Sequence, residues 1–239
     1  MRSVLRVSTV CVVLAVGLVV SMRPMIAALV ICADAEAAER PDVKEVVAKM
    51  QTFYEKAADL KGKFKQVYTD SLYNRKRTSY GYLYVKKPGM MRWNYVKPER
   101  KSFIADGKVL WVWEPEDKQA FRNPLSTDTL STGLSFLIGK GDLTKEFKVA
   151  YSDEKLGGPG DLVLKLTPRK PTGQYEHLLL AVKQDDHSVG ESMVVSRHNT
   201  NHFIFTSLQV NTKLSRSRFR FRPPAGTRVI DGSKLKRSP

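Results

Sequence analysis

The sequence predicts a mainly β chain of the α+β class, built on a single curled antiparallel sheet of about eleven strands. Three observations predict it. Short runs with period-two alternation recur from residue 64 to residue 222. Pro-Gly and Asp-Gly turns reverse the chain between neighbouring runs. Helical spacing of apolar residues marks two interruptions, 41–60 and 127–138.

The densest stretch runs from 81 to 113. Tyr80, Tyr82 and Tyr84 fall on one face of a strand, Leu83 and Val85 on the other. After the Lys87-Pro88-Gly89 turn, Met91, Trp93 and Tyr95 share a face; after Asp106-Gly107, so do Val109, Trp111 and Trp113. With apolar or aromatic residues on both faces, this meander must be covered on each side.

Taken in order, 41–60 is an amphipathic helix with Val43, Val46, Val47, Met50, Phe53, Tyr54, Ala57 and Leu60 on its apolar side, ended by Lys61-Gly62. Strands follow at 64–70, 78–85, 91–96, 101–106, 109–114 and 119–122, with a break at Asn123-Pro124. The second helical segment, 127–138, carries Leu130, Leu134, Leu137 and Ile138 and stops at Gly139 and Gly141. Strands resume at 147–152, 162–167, 178–183, 189–197, 203–213 and 218–222. In the last of these, Arg218, Arg220 and Arg222 face one way and Phe219 and Phe221 the other, which separates the charges from the rings.

The N-terminus reads as a targeting segment. Arg2 and Arg6 precede an apolar run, 7–20; a second run, 26–32, leads to Ala33-x-Ala35 and Ala35-x-Ala37, which fit a signal-peptidase site. Arg23 and Pro24 leave neither run long enough to span a bilayer comfortably. Residues 1–35 are therefore expected to be a cleaved signal peptide and 36–239 a single domain. Cys11 and Cys32 both lie in the leader, and Ile31 stands where a lipidation signal carries a small residue, so the expectation is a soluble periplasmic protein. Removing 1–35 takes away Arg2, Arg6, Arg23 and Asp34 and lowers the formal charge from +16 to +14. Such a charge favours anionic surfaces, and export removes nucleic acid as the physiological partner.

Enzymatic signatures are weak. His187 follows Asp185-Asp186 at a hairpin turn, where Asp suits the backbone geometry alone. His198-x-x-x-His202 has ligand spacing for a helix, but Asn199-Thr200-Asn201 reads as a turn and no Glu accompanies the pair. Neither a nucleophile elbow nor a phosphate-binding glycine loop is present. No metal site and no cofactor are expected.

The chain resembles the periplasmic lipoprotein carriers of the LolA family. The resemblance rests on Gly81-x-Leu83, Val85-Lys86-Lys87-Pro88, Arg92-Trp93, Pro98, Asp106-Gly107-Lys108, Leu110-Trp111, Phe136-Leu137-Ile138 and the ending Phe219-x-Phe221-x-Pro223-Pro224-x-Gly226. It implies an unclosed β-barrel whose mouth is covered by a helical lid, here 42–60 and 127–138. It further implies an apolar cavity for acyl chains, with Leu83, Met91, Trp93, Trp111, Phe136, Leu137 and Ile138 as the candidate lining. In the family a basic residue before the meander proline ties the lid to the barrel; here it is Lys87, where better-known members carry Arg. The implied partners are acylated lipoproteins as cargo, an inner-membrane ABC-type exporter as donor and an outer-membrane acceptor, with the carrier itself a monomer. Arg218, Arg220 and Arg222 are candidates for guiding partner docking. Two alternatives stay open: a binder or sensor of other lipids on the same fold, and a periplasmic hydrolase using the His-Asp turns.

Overall fold

A computed structural model describes residues 40–125 and 142–232. The expected signal peptide, and the second helical segment with Phe136, Leu137 and Ile138, lie outside the described residues.

Helix α1 spans Val43–Lys56, and its first turn is capped by the Asp42 carboxylate, which accepts from Lys44 N at 2.7 Å. Six strands follow: β1 Asp59–Asp70, β2 Arg75–Lys86, β3 Met90–Lys97, β4 Lys101–Asp106, β5 Val109–Glu114 and β6 Gln119–Pro124. A short helical turn, α2 Leu143–Glu146, leads into β7 Phe147–Tyr151, β8 Leu162–Pro168, β9 His177–Val182, β10 Val189–Val195 and β11 Asn199–Val210. A single 3-10 turn, Arg216–Phe219, precedes β12 Arg228–Asp231.

These strands make one unclosed twelve-stranded sheet in the order β12-β6-β5-β4-β3-β2-β1-β11-β10-β9-β8-β7. Two meanders, β1–β6 and β7–β11, join along β1 and β11, which pair antiparallel from Leu60↔Val210 to Asp70↔Asn199. Only β12 runs parallel to its neighbour, β6. The turns behave as the sequence requires. Gly89 and Gly107 take positive φ, 69° and 101°, and the Asp106 carboxylate accepts from Lys108 N and Val109 N at 2.8 Å.

Both faces are covered, by different parts of the chain. On the inner face, α1 contributes Val46, Val47, Met50 and Tyr54 to one core with Leu60, Phe64, Leu83, Val85, Met91 and Trp93. That core continues through Leu164, Leu166, Leu178 and Leu180 of the other meander. On the outer face, the segment after β11 lays Leu214 and Phe219 over Met90 and Tyr84, and Phe221 against Trp111 and Trp113 at 5.5 and 5.7 Å between ring centroids.

Three expectations need correction. The helix ends at Lys56 and not at Lys61-Gly62, because Asp59 belongs to the sheet. Its carboxylate, 2% exposed, accepts from Thr212 N at 2.7 Å, Thr212 Oγ1 at 3.1 Å and Leu214 N at 3.0 Å, and Asn211 N donates to its carbonyl. Residues 218–222 are not a strand. Ser215 caps the 3-10 turn there, although Phe219 is still buried while Arg218, Arg220 and Arg222 are exposed. The strand that ends the fold is the four-residue β12, too short for alternation to reveal. Finally, β11 begins at Asn199, so Asn199-Thr200-Asn201 is strand and the turn lies just before it.

Two outcomes follow. A Cβ on Gly81 would lie 2.0 Å from Asn94 O and 2.6 Å from two carbons of the Phe64 ring. Gly81→Ala is expected to cost about 1–3 kcal/mol in urea unfolding, while Gly173→Ala, with open space around it, should stay within about 0.5 kcal/mol. Burial raises the Asp59 pKa, but the Leu214 and Thr212 amides, the Thr212 hydroxyl and the Lys86 ammonium outweigh it and hold the carboxyl below the usual range. A depressed carboxyl stabilises the fold above its unfolded pKa, about 3.9, and loses that contribution as pH falls through the folded value. The stability deficit of Asp59→Asn should therefore be constant from neutral pH down to about 5 and shrink below about 4, followed by unfolding at a series of pH values.

Candidate functional site

The inner face carries a continuous row of rings across five strands. Phe103 of β4 meets Tyr95 of β3 at 6.2 Å; Tyr95 and Trp93 each meet Phe64 of β1 at 5.0 Å; Trp93 meets Phe203 of β11 at 5.3 Å. Between β3 and β1 lies β2, and its residue in register with both Phe64 and Tyr95 is Gly81. The missing side chain leaves the slot through which the rings touch. Trp93 is 3% exposed, and its indole Nε1–H lies within reach of the Tyr95 phenol on the same strand.

Helix α1 shares the inner core with this row and is held at three places. Near its N-terminus, Tyr151 Oη donates to Pro41 O at 2.7 Å and Arg40 pairs with Asp153 at 2.9 Å. Further along, Val189 N of β10 donates to Tyr54 Oη at 3.0 Å. At the C-terminus, Lys87 Nζ donates to Tyr54 O, which also accepts from Ala57 N at 3.3 Å, and to Glu55 O at 3.3 Å. Burial lowers the Lys87 pKa, with the Glu55 carboxylate pulling the other way. Burial likewise pushes the Tyr54 phenol far up, leaving it protonated at neutral pH. The result is an apolar plug whose fastenings are polar.

Of the residues singled out from the sequence, Leu83, Met91 and Trp93 come together in the inner core. Trp111 does not. Leu110 of the same strand faces the inner core, so Trp111 points to the outer face, where Phe221 covers it. Arg218 lies 4.6 Å from the centroid of the Tyr84 ring, and its carbonyl accepts from Arg92 at 2.9 Å. Sequence reasoning missed Phe64, Phe103, Phe203 and Phe205, which complete the row. None of the four lies on a strand from which a lining residue was chosen, and only the register across β4, β3, β2, β1 and β11 places them together.

Beside Tyr95 and Phe103 of the row, the inner face opens as a cleft of about 310 Å³. Gln66, Tyr68, Arg77 and Tyr95 are among its walls. Arg77 pairs there with Glu99, and Lys101 with Glu114. The histidines stand elsewhere. His187 occupies the hairpin turn at φ 60°, and His202 Nε2 is 2.7 Å from Glu191 Oε2 on the outer side of the sheet. No group of three or more metal-ligating side chains occurs among the described residues.

A family model described as Outer membrane lipoprotein carrier protein LolA matches residues 55–222, from the end of α1 through the outer-face segment. The chain belongs to the LolA family. An outer-membrane lipoprotein carrier protein of Chromobacterium violaceum is 26% identical over 212 residues, spanning 88% of this chain and 100% of its own. One from Ralstonia nicotianae is 30% identical over 155 residues, 64% of this chain and 69% of its own. Among solved structures, an uncharacterized conserved protein from Thermus thermophilus aligns with a TM-score of 0.52 at 11% identity, over 80% of this chain and 99% of that one, which is a likeness of fold. In LolA terms, the sheet with α1 across it is the unclosed barrel and the first part of its cover.

If Lys87 fastens α1, Lys87→Met should raise hydrogen exchange of the last-turn amides of α1 by about 1–2 kcal/mol of local opening. Lys87→Arg should preserve their protection, and amides in β8 and β9 should not change in either variant.

Proposed function

We propose that this chain carries lipoproteins across the periplasm by sheltering their acyl chains against the inner face of the sheet. The observation that carries the reading is the ring-lined apolar face closed by one helix that polar contacts hold in place. Membership of the LolA family supports it. Each methylene kept from water is worth about 0.8 kcal/mol, so a container of this kind needs apolar area and a movable cover rather than covalent chemistry. Val46, Val47, Met50 and Tyr54 of α1 fill the space that acyl chains would take, and cargo enters as α1 swings away.

On this reading the protein acts as a carrier and not as an enzyme. It works in the periplasm after loss of residues 1–35, loads from an inner-membrane ATP-driven exporter and unloads at an outer-membrane acceptor. Energy for loading comes from the exporter. Lys87 serves as the lid fastener. Its compact ammonium makes fewer directed contacts than a guanidinium would, which favours a cover that opens readily.

Exported protein incubated with spheroplasts of the source cells should release triacylated lipoproteins in one-to-one complexes identifiable by mass spectrometry. Recovery of free phospholipid alone, with the exporter active, would replace this reading by the lipid-binder alternative. Lys87→Leu should load cargo about as well as the native chain but deliver it to outer membranes several-fold less; equal delivery removes the fastening role.

A further inference from the structure

The β1–β2 hairpin has a face and a tip that neither the inner core nor α1 uses. Alternation along β1 sends Phe64 inward and Lys63 and Lys65 outward, where they pair in register with Tyr82 and Tyr80 of β2. The four side chains form an exposed strip, with Tyr80 and Tyr82 at 45% and 40% exposure. Among the described residues no carboxylate pairs with either lysine. At the tip stand Leu72 and Tyr73, the most exposed large apolar side chains among the described residues, at 64% and 69%.

This tip is built, not frayed. Leu72 N and Tyr73 N both donate to the Asp70 carboxylate, at 3.0 and 3.2 Å, and Ser71 N donates to His198 O of the adjoining hairpin at 2.8 Å. Arg75 lies 5.4 Å from the centroid of the Tyr73 ring, and Lys76 follows it on the exposed strand.

We propose that this hairpin docks the chain on an anionic phospholipid surface. Leu72 and Tyr73 enter the headgroup layer, and Lys63, Lys65 and Lys76 lie along the lipid phosphates. Charge complementarity selects an anionic partner, since each lysine near such a surface strengthens binding about fivefold. The projecting pair selects a bilayer over an acidic protein. A wedge of two apolar side chains needs a groove on a protein, whereas a deformable headgroup layer accepts it anywhere. Tyrosines, with an apolar ring and a polar tip, suit the same boundary. The inner face takes no part, so the proposal stands or falls separately from the cargo reading.

The test is vesicle flotation with protein isolated from a periplasmic extract, its N-terminus determined by sequencing. Vesicles of phosphatidylethanolamine with phosphatidylglycerol are compared with phosphatidylcholine alone, at low and high salt. The chain should float with the anionic vesicles only, and less so as salt rises. Lys63→Gln with Lys65→Gln should weaken partition about twentyfold, and Leu72→Ser with Tyr73→Ser about tenfold; neither pair should shift the urea midpoint. Absence of flotation, equal flotation on phosphatidylcholine, or partition indifferent to both pairs overturns the proposal. Loss with the lysine pair but not with the Leu72 and Tyr73 pair also overturns it, assigning the strip to a soluble acidic macromolecule.

Discussion

The architecture depends on α1 lying across the inner face of an open sheet. A closed barrel satisfies its edges by pairing first strand to last; this sheet ends at β7 and β12 and cannot do so. Its inner side chains are shielded in part by a helix whose polar contacts reach the edge strand β7, the interior strand β10 and the β2–β3 turn. One short helix thereby touches both meanders, and the core that runs from Leu110 to Leu166 passes beneath it. Take away its apolar stripe and the two halves of the inner face would lose a shared neighbour.

The same arrangement makes exchange feasible. Burying the α1 side chains Val46, Val47, Met50 and Tyr54 is worth about 1.5–3 kcal/mol each, an upper estimate. An acyl chain of about sixteen carbons, at about 0.8 kcal/mol per methylene, offers a sum of the same order. On the carrier reading, the plug competes for one surface with each acyl chain of the cargo, and the polar bonds at the ends of α1 weigh on the side of the plug. On that reading Trp93 and Phe64 would serve either occupant, because ring faces make no directional demand on what lies against them.

Local signals carried the meander from β2 to β6, where alternation and Pro-Gly or Asp-Gly turns coincide. They failed where the deciding partner is remote. Ala57 and Leu60 keep helical spacing after Tyr54, yet Asp59 is drawn into the sheet by Thr212 and Leu214, far along the chain. Arg218 to Arg222 alternate like a strand, yet the chain there lies on the outer face instead of pairing with a neighbour. Trp111 was correctly grouped with Trp113, but alternation divides a strand into two faces without saying which is inner. Lys87 was singled out only through the family resemblance, which points to the residue before Pro88; the carbonyls it reaches on α1 required the fold.

Sheet order also bears on how the molecule assembles. Within each meander, neighbours in the sheet are neighbours in the chain, so pairing there closes short loops. The β1–β11 seam instead joins residues such as Phe64 and Phe205, and its closure waits on nearly all of the sheet-forming chain. Until β11 arrives, β1 has an unpaired edge and the ring row stops at Phe64, leaving half of a greasy surface open to water. A newly made chain would pass through this unsealed stage late in folding, when it is most in need of protection from its own kind.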